Sequence, residues 1–252
     1  MQAVSIIIVS FNVKELLKEC ILSLKRECRN HSIKNELIIV DNNSCDGTKE
    51  MLLNEFPDCK FILNKKNIGF SKANNQAYNL SKFDYLLLIN PDTIVKDKSI
   101  SKLLDFLDET TNAGVVTCRI VDQNNKLSKS IVRFNSISNH LMRLFFLDHI
   151  FYPERRSSYY YQSKPFKIDY ASGSYMMINR NSINDSYLLN PKFFMYSEEK
   201  DLSIRLKKNG WESYFYPDSE IVHYGGQSTK AQPIRMFLEM QKSQVIFFKI
   251  HY

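Results

Sequence analysis

Short apolar runs alternate with helically spaced apolar positions through the first half of the chain. Val4-Ser-Ile-Ile-Ile-Val9 is a nearly continuous β-branched run, the pattern of a strand buried on both faces. Lys14 to Arg26 then places Leu16, Leu17, Cys20, Ile21 and Leu24 on one helical face. The alternation continues with a strand over Glu36 to Val40, a helix over Thr48 to Phe56 and a strand over Lys60 to Leu63. A helix over Ser71 to Leu80 and a strand over Tyr85 to Ile89 complete it. Strand alternating with helix predicts βαβ units, and hence an α/β fold with a mostly parallel central sheet flanked by helices.

The second half is less regular. Strands are expected over Val115 to Val121 and Ser174 to Asn179, with two short ones over Glu212 to Tyr216 and Glu220 to Tyr224. Ser197 to Asn209 reads as a helix closed by Gly210, with Asp201 and Arg205 paired one turn apart. From Pro233 a last helix carries Met236, Phe237, Met240, Ile246, Phe247 and Ile250, with Lys242 and Lys249 nearby. Its apolar face can pack on the domain, pair with a second copy or rest on anionic lipid. The expected division is a catalytic domain over 1–228 and an amphipathic segment over 229–252.

Composition narrows the class. With 252 residues, 44% apolar and 24% charged, the chain fits one large globular domain and neither a disordered chain nor a coiled coil. Five cysteines without a Cys-x-x-Cys pair argue against a disulfide framework or a zinc ribbon, and for a reducing, cytoplasmic setting. No apolar run is long enough for a membrane span, and no basic stretch or small-residue cleavage site precedes the first strand, so no signal peptide is expected. The net charge of +7 suits nucleic acid, an anionic membrane surface or a phosphorylated ligand alike.

In an open α/β sheet, ligands bind beyond the carboxyl ends of the strands. Here those ends read Ser10-Phe11-Asn12, then Asp41-Asn-Asn43-Ser-Cys-Asp46-Gly-Thr48, then Asn64-Lys-Lys-Asn67-Ile-Gly69, then Asn90-Pro91-Asp92. Each has a plain structural alternative. Asp46-Gly47-Thr48 is also turn chemistry with a helix cap, and Asn90-Pro91-Asp92 is also a strand-ending turn. Asn74 and Asn75 fit that alternative poorly, since Asn is unfavourable inside a helix. No Gly-x-Gly-x-x-Gly and no Gly-Lys-Ser/Thr loop follows any strand, which excludes the two familiar Gly-rich phosphate cradles. A divalent cation held by Asp92 is the simple substitute for neutralising a diphosphate.

These motifs resemble the family 2 glycosyltransferases of the GT-A fold. The resemblance is carried by Val4 to Asn12, Ile38 to Thr48, Asn67 to Phe70 with Ala73-Asn74, and Leu88 to Thr93. It continues through Ala171 to Met177, Phe193 to Arg205, Gly210-Trp211, Val222-His223 and Gly226-Gln-Ser228. Within the family the chain is most similar to the branch that includes bacterial rhamnosyltransferases. The resemblance implies a Rossmann-like nucleotide-binding half joined to an acceptor-binding half. It implies an inverting transfer from a UDP- or dTDP-sugar, dTDP-rhamnose among them, to a glycan or lipid-linked acceptor in surface polysaccharide synthesis. A Mg2+ or Mn2+ ion is implied as cofactor.

Residue by residue, Asp41 would read the nucleobase, with Ser10, Asn12, Asn43, Asn67, Gly69 and Asn74 along base and ribose. Asn90 and Asp92 occupy the family's Asp-x-Asp positions, the first acid being replaced by an amide. His223 would join Asp92 on the metal, its plain alternative being a satisfied strand histidine. Gly173 would let backbone approach the sugar. Glu199 would be the general base, beside Glu198, where the family commonly has Glu-Asp; their plain alternative is complementing the helix dipole. Asp201 is expected to be structural, through Arg205. The Tyr-rich, basic stretch 151–167 reads equally as an acceptor-side loop or a solvated insertion. Partners are thus the sugar nucleotide and its acceptor, with membrane-surface contact and oligomerisation left open and no nucleic acid. A nucleotidyltransferase would need a Gly-rich basic loop after the first strand, where this chain has Ser10-Phe11-Asn12. A catalytically silent sugar-nucleotide binder or scaffold remains the closer rival.

Overall fold

The computed structural model describes residues 3–128, 131–132, 162–225 and 233–252. Four parallel strands form one half of the sheet: β1 (Ala3–Ser10), β2 (Lys34–Asp41), β3 (Lys60–Leu63) and β4 (Tyr85–Ile89), in the order β3-β2-β1-β4. The apolar runs of β1, β2 and β4 are buried on both faces. Ile6 and Ile8 point into one core layer with α1 (Lys14–Asn30) and α2 (Thr48–Glu55), while Ile7 points into the other with α3 (Phe70–Leu80). Each such side chain contributes about 1.5–3 kcal/mol by leaving water.

The expectation of a mostly parallel sheet holds on this side and gives way to a mixed sheet on the other. After β5 (Thr93–Val95) and α4 (Ser99–Glu109), β6 (Ala113–Val121) and β11 (Glu212–His223) run parallel to each other. Between β4 and β6 lies β10 (Tyr175–Asn179), antiparallel to both. The short strands β7 (Ile131–Val132), β8 (Phe166–Ile168) and β9 (Tyr170–Ala171) complete the set, β8 adding to β11 and β7 to β9. Phe166 and Lys167 of the expected loop are therefore strand, while 151–161 of that loop lie outside the described residues, as do 226–228 of the Gly-Gln-Ser motif.

Two further corrections concern β11 and α4. Glu212 to Tyr216 and Glu220 to Tyr224 are not separate strands: β11 runs through to His223 with a register shift between Tyr216 and Glu220. Pro217 lies within that bulge, where its missing donor costs no ladder bond. The helix α4 was also unforeseen, although Ile100, Leu103, Leu104 and Leu107 have helical spacing and are all buried. The helix α5 (Glu198–Lys208) ends at Gly210 in the left-handed region, φ 85°, and Arg205 Nε donates to Asp201 Oδ2 at 2.8 Å, both as expected. All five cysteines are free thiols.

The start of α4 has no cap of its own, because Lys98 occupies the N-cap position with φ 58° and offers no acceptor. Glu27, buried at the end of α1, supplies the acceptors instead, taking the Lys98 N–H at 3.0 Å and the Ile100 N–H at 3.2 Å. Glu27→Ala should therefore lower stability by about 1–3 kcal/mol in urea denaturation, since two buried donors lose their partner. An unchanged midpoint would show that the cap contributes nothing.

Candidate active site

The register of the sheet sets the site. Ser10 pairs with Asp41 across β1 and β2, and β4 ends at Ile89 beside them. Asp41 is 3% exposed, and burial pushes its carboxyl above the usual range against the hydrogen bonds it accepts from Ser44 Oγ and the Ser44 N–H. Ser10 Oγ is fully covered and has no hydrogen-bond partner among the described residues. Asn12, exposed and at φ 53°, ties the β2 loop down: its Oδ1 accepts the Cys45 N–H at 2.8 Å, and its own N–H donates to Ser44 Oγ at 2.9 Å. Asn43 is exposed in the same loop at φ 70°. Asp46 caps α2 through Thr48 and also holds the Lys14 N–H, so the turn-and-cap alternative describes it.

The β3–α3 loop is held from below by Asn64, which bonds Asn42 and Gln76. Asn67 Oδ1 accepts the Gly69 N–H at 3.0 Å, turning the chain toward α3. Gly69 stands at φ 89°, and a Cβ there would lie 2.5 Å from the Phe194 carbonyl oxygen. Asn74 is 1% exposed and donates to the Phe70 carbonyl at 2.9 Å, so it shapes the start of α3 rather than facing the cleft. Asn75 also has a structural duty. It donates to the Leu189 carbonyl at 2.6 Å and accepts the Leu188 and Leu189 N–H groups at 3.1 and 2.9 Å. Its partners are more than a hundred residues away, so no local signal could reveal them.

The fourth strand end brings the expected metal ligands together. β11 runs antiparallel to β5 with His223 opposite Thr93, which places the imidazole beside Asp92. His223 Nε2 and Asp92 Oδ1 are 3.0 Å apart, and Asn90 Nδ2 lies 3.5 Å from the same nitrogen. Two ligands at right angles on an octahedral ion of about 2.1 Å bond length would be about 3.0 Å apart. The pair therefore fits a divalent cation. The Asn90 N–H donates to the Ser174 carbonyl, so the Gly173-Ser174 turn lies at the same strand end. Gly173 has no positive φ, and a Cβ there would meet only Phe70 Cε1, at 4.0 Å. No intramolecular contact demands glycine at that position.

Among the described residues, the cluster of three or more metal-ligand side chains lies elsewhere, at Glu27, His31 and Asp97. It is accounted for by the α4 cap and a surface His31–Asp97 pair at 2.8 Å. A cavity of about 460 Å³ bounded by Lys25, Arg29, Ile33 and Cys59 opens at the amino ends of the strands, where Lys25 is paired with Asp58. Neither is at the carboxyl edge where the polar strand ends converge.

The acidic pair enters from a strained lead-in. Tyr196 and Ser197 are consecutive non-glycine residues in the left-handed region, at φ 71° and 67°. Such residues cost about 1–3 kcal/mol each and persist where packing over-determines them. The lead-in is fixed by Phe193, fully buried, and by the Phe194 carbonyl, which accepts the Phe70 N–H at 2.6 Å. Glu198 and Glu199 follow in the first turn of α5. Glu198 is 4% exposed, and burial drives its carboxyl well above the usual range, with the charge of Glu199 adding to the effect. Glu199 keeps some exposed surface, but burial around its carboxyl raises it too. One oxygen of each, Oε2, is covered and without a hydrogen-bond partner among the described residues, and so is Ser197 Oγ. Buried polar atoms left unpaired call for an explanation, and a ligand proton or hydroxyl is the simplest one. Asp201 has its own partners, Arg205 and His251, and is part of the scaffold.

Comparison with known proteins bears on the family and the fold. The sequence model described as "Glycosyl transferase family 2" matches residues 5–186. The N-acetylglucosaminyl-diphospho-decaprenol L-rhamnosyltransferase of Mycobacterium tuberculosis is 25% identical over 227 residues, covering 84% of this chain and 73% of that protein. The rhamnosyltransferase WbbL of Escherichia coli is 23% identical over 235 residues, covering 90% and 86%. The crystal structure of GalNAc-T7 with UDP, GalNAc and Mn2+ superimposes with a TM-score of 0.64 at 15% identity. That alignment covers 88% of this chain but spans 44% of the longer one, and it shows a shared fold.

The contact between Gly69 and Phe194 generates a prediction. Gly69→Ala places a methyl group in the left-handed region and against a backbone oxygen, and so must separate the two loops. The expected loss is about 2 kcal/mol or more, read as a fall of several degrees in the thermal midpoint. A variant as stable as the parent would show that the contact is slack.

Proposed function

This chain belongs to glycosyl transferase family 2, and on that premise we propose that it moves a sugar, with inversion, from a nucleoside-diphosphate sugar to a hydroxyl group. The donor class is a UDP- or dTDP-sugar, dTDP-rhamnose being favoured by the names of two relatives. The acceptor is a glycan or lipid-linked glycan of a bacterial surface polysaccharide, in keeping with the diphospho-decaprenol in one of those names. The observation that carries the proposal is the pair of covered, unpartnered carboxyl oxygens of Glu198 and Glu199, held in a helix start docked onto the nucleotide-side loop.

In this reading Asp41 accepts a hydrogen bond from the nucleobase, and Ser10 Oγ finds in the nucleotide the partner it otherwise lacks. Asn43, Asn67 and Asn90 present amides around the same strand ends. A divalent cation on Asp92 and His223 would neutralise the diphosphate as it leaves. Gly173 leaves room for the sugar beside the Ser174 turn. Glu199 takes the proton of the acceptor hydroxyl, whose oxygen bonds to the anomeric carbon as the bond from that carbon to the diphosphate oxygen breaks. Glu198, the more deeply buried of the two, keeps its proton, so a single negative charge occupies the pair. A carboxyl raised by burial is the stronger base once ionised, which suits it to removing a hydroxyl proton.

Two outcomes follow. Glu199→Gln should lower transfer by about 10²–10⁴-fold while calorimetric affinity for UDP or dTDP stays unchanged. In the parent, kcat should rise with pH through an apparent pKa above that of an ordinary glutamate, because only the ionised form accepts a proton. Undiminished turnover in the variant would remove Glu199 from the chemistry. Asp92→Asn should abolish the part of nucleotide affinity that depends on added Mn2+; calorimetry showing no Mn2+ effect in the parent would refute the metal assignment.

A further inference from the structure

The last helix, α6 (Pro233–His251), has two faces of different character. One grips the catalytic half: Ser243 Oγ donates to the Met195 carbonyl at 2.7 Å, His251 pairs with buried Asp201 at 2.9 Å, and Phe247 packs beneath Lys200. The other is largely apolar and exposed, with the half-buried Gln241 its polar member. Ile234, Leu238, Val245 and the following Tyr252 recur at four- and seven-residue intervals and form one stripe, with exposures of 77, 53, 53 and 68%. Phe237 beside them is 56% exposed. Lys242 and Lys249, each one turn beyond a stripe residue, run along its edge.

We propose that this stripe docks α6 flat onto an anionic membrane surface, the apolar side chains entering the headgroup boundary and the lysines meeting lipid phosphates. The proposal adds a surface to the glycosyltransferase reading, and its link to a lipid-linked acceptor rests on that reading. Charge decides the occupant. Glu239 is the helix's one carboxylate, and it is held by Lys242 at 2.8 Å. A second copy of the helix would therefore bring Lys249 no free carboxylate, since each Glu239 is already held by its own Lys242, whereas anionic lipid supplies counter-charge in excess. Among the described residues no helix is long and apolar enough to cross a membrane, so the stripe lies on a bilayer rather than within one. The gripping face sets the consequence. Because α6 is bonded to Met195 and Asp201, a membrane under the stripe lies against the half of the molecule that carries Glu198 and Glu199.

The test is flotation of the full chain with vesicles of phosphatidylcholine containing phosphatidylglycerol, and with vesicles of phosphatidylcholine alone. The expected result is association with the anionic vesicles that weakens with added salt. Replacing Leu238 and Val245 together by Asp should reduce it by at least about tenfold. Reversing Lys242 and Lys249 to Glu should reduce it by about fivefold per residue on anionic vesicles. Calorimetric affinity for UDP or dTDP should be the same in all variants, which also reports that they are folded. No association with either vesicle would overturn the proposal. So would a parent that sediments as a dimer and becomes a monomer in the Leu238/Val245 variant, since the stripe would then be a contact between copies. Absent nucleotide binding with intact vesicle binding would instead refute the donor-site reading and leave the docking surface standing.

Discussion

The Phe194 carbonyl oxygen, 2.6 Å from the Phe70 nitrogen, joins the two halves of the site. On one side of it lies the loop that closes the nucleotide edge, on the other the strained turn that launches α5. The contact requires a residue without a side chain at Gly69, because any Cβ would occupy the space of that oxygen. It also anchors the backbone immediately before Tyr196 and Ser197, whose left-handed conformations would otherwise relax. The helix start that carries the acid pair is thus anchored through main chain, and it holds the two carboxyl groups with one oxygen of each covered and unpaired.

The site divides its electrostatic work between two places. At the end of β4, Asp92 and His223 offer one carboxylate oxygen and one imidazole nitrogen set by the β5–β11 register, a ligand pair that suits a divalent cation. At the start of α5 two acids are desolvated together, which raises both carboxyls and opposes two charges on the pair. An ion of charge +2 and a single ionised carboxylate fit opposite ends of one displacement, where negative charge leaves with the diphosphate and positive charge is released at the acceptor oxygen.

Much of this arrangement was legible in the sequence, and for a physical reason. Strands buried on both faces must be written as apolar runs, so β1, β2 and β4 were visible, and a parallel sheet gathers its strand ends on one edge. Asp41, Asp92 and His223 stand out as candidates through that edge and through motif resemblance. What stayed hidden depends on distant partners. Nothing near Asn75 announces Leu188 and Leu189, and nothing near Glu27 announces the uncapped start of α4. Asn12 and Asn74 each also hold the protein's own backbone, a duty that the sequence does not announce because it depends on the folded loop or turn. The strand β10 was expected, but its antiparallel direction was not, since its apolar run, Tyr175 to Ile178, carries no mark of direction.

The central claim is that nucleotide and metal meet at the carboxyl edge, between Asp92 and His223. Anomalous diffraction from crystals grown with a nucleoside diphosphate and Mn2+ tests it directly. The account predicts a manganese peak bonded to the Asp92 carboxylate and His223 Nε2, with the diphosphate on its open side and the base against Asp41. Manganese found instead at Glu27, His31 and Asp97, or a nucleotide bound away from these strand ends, would contradict it.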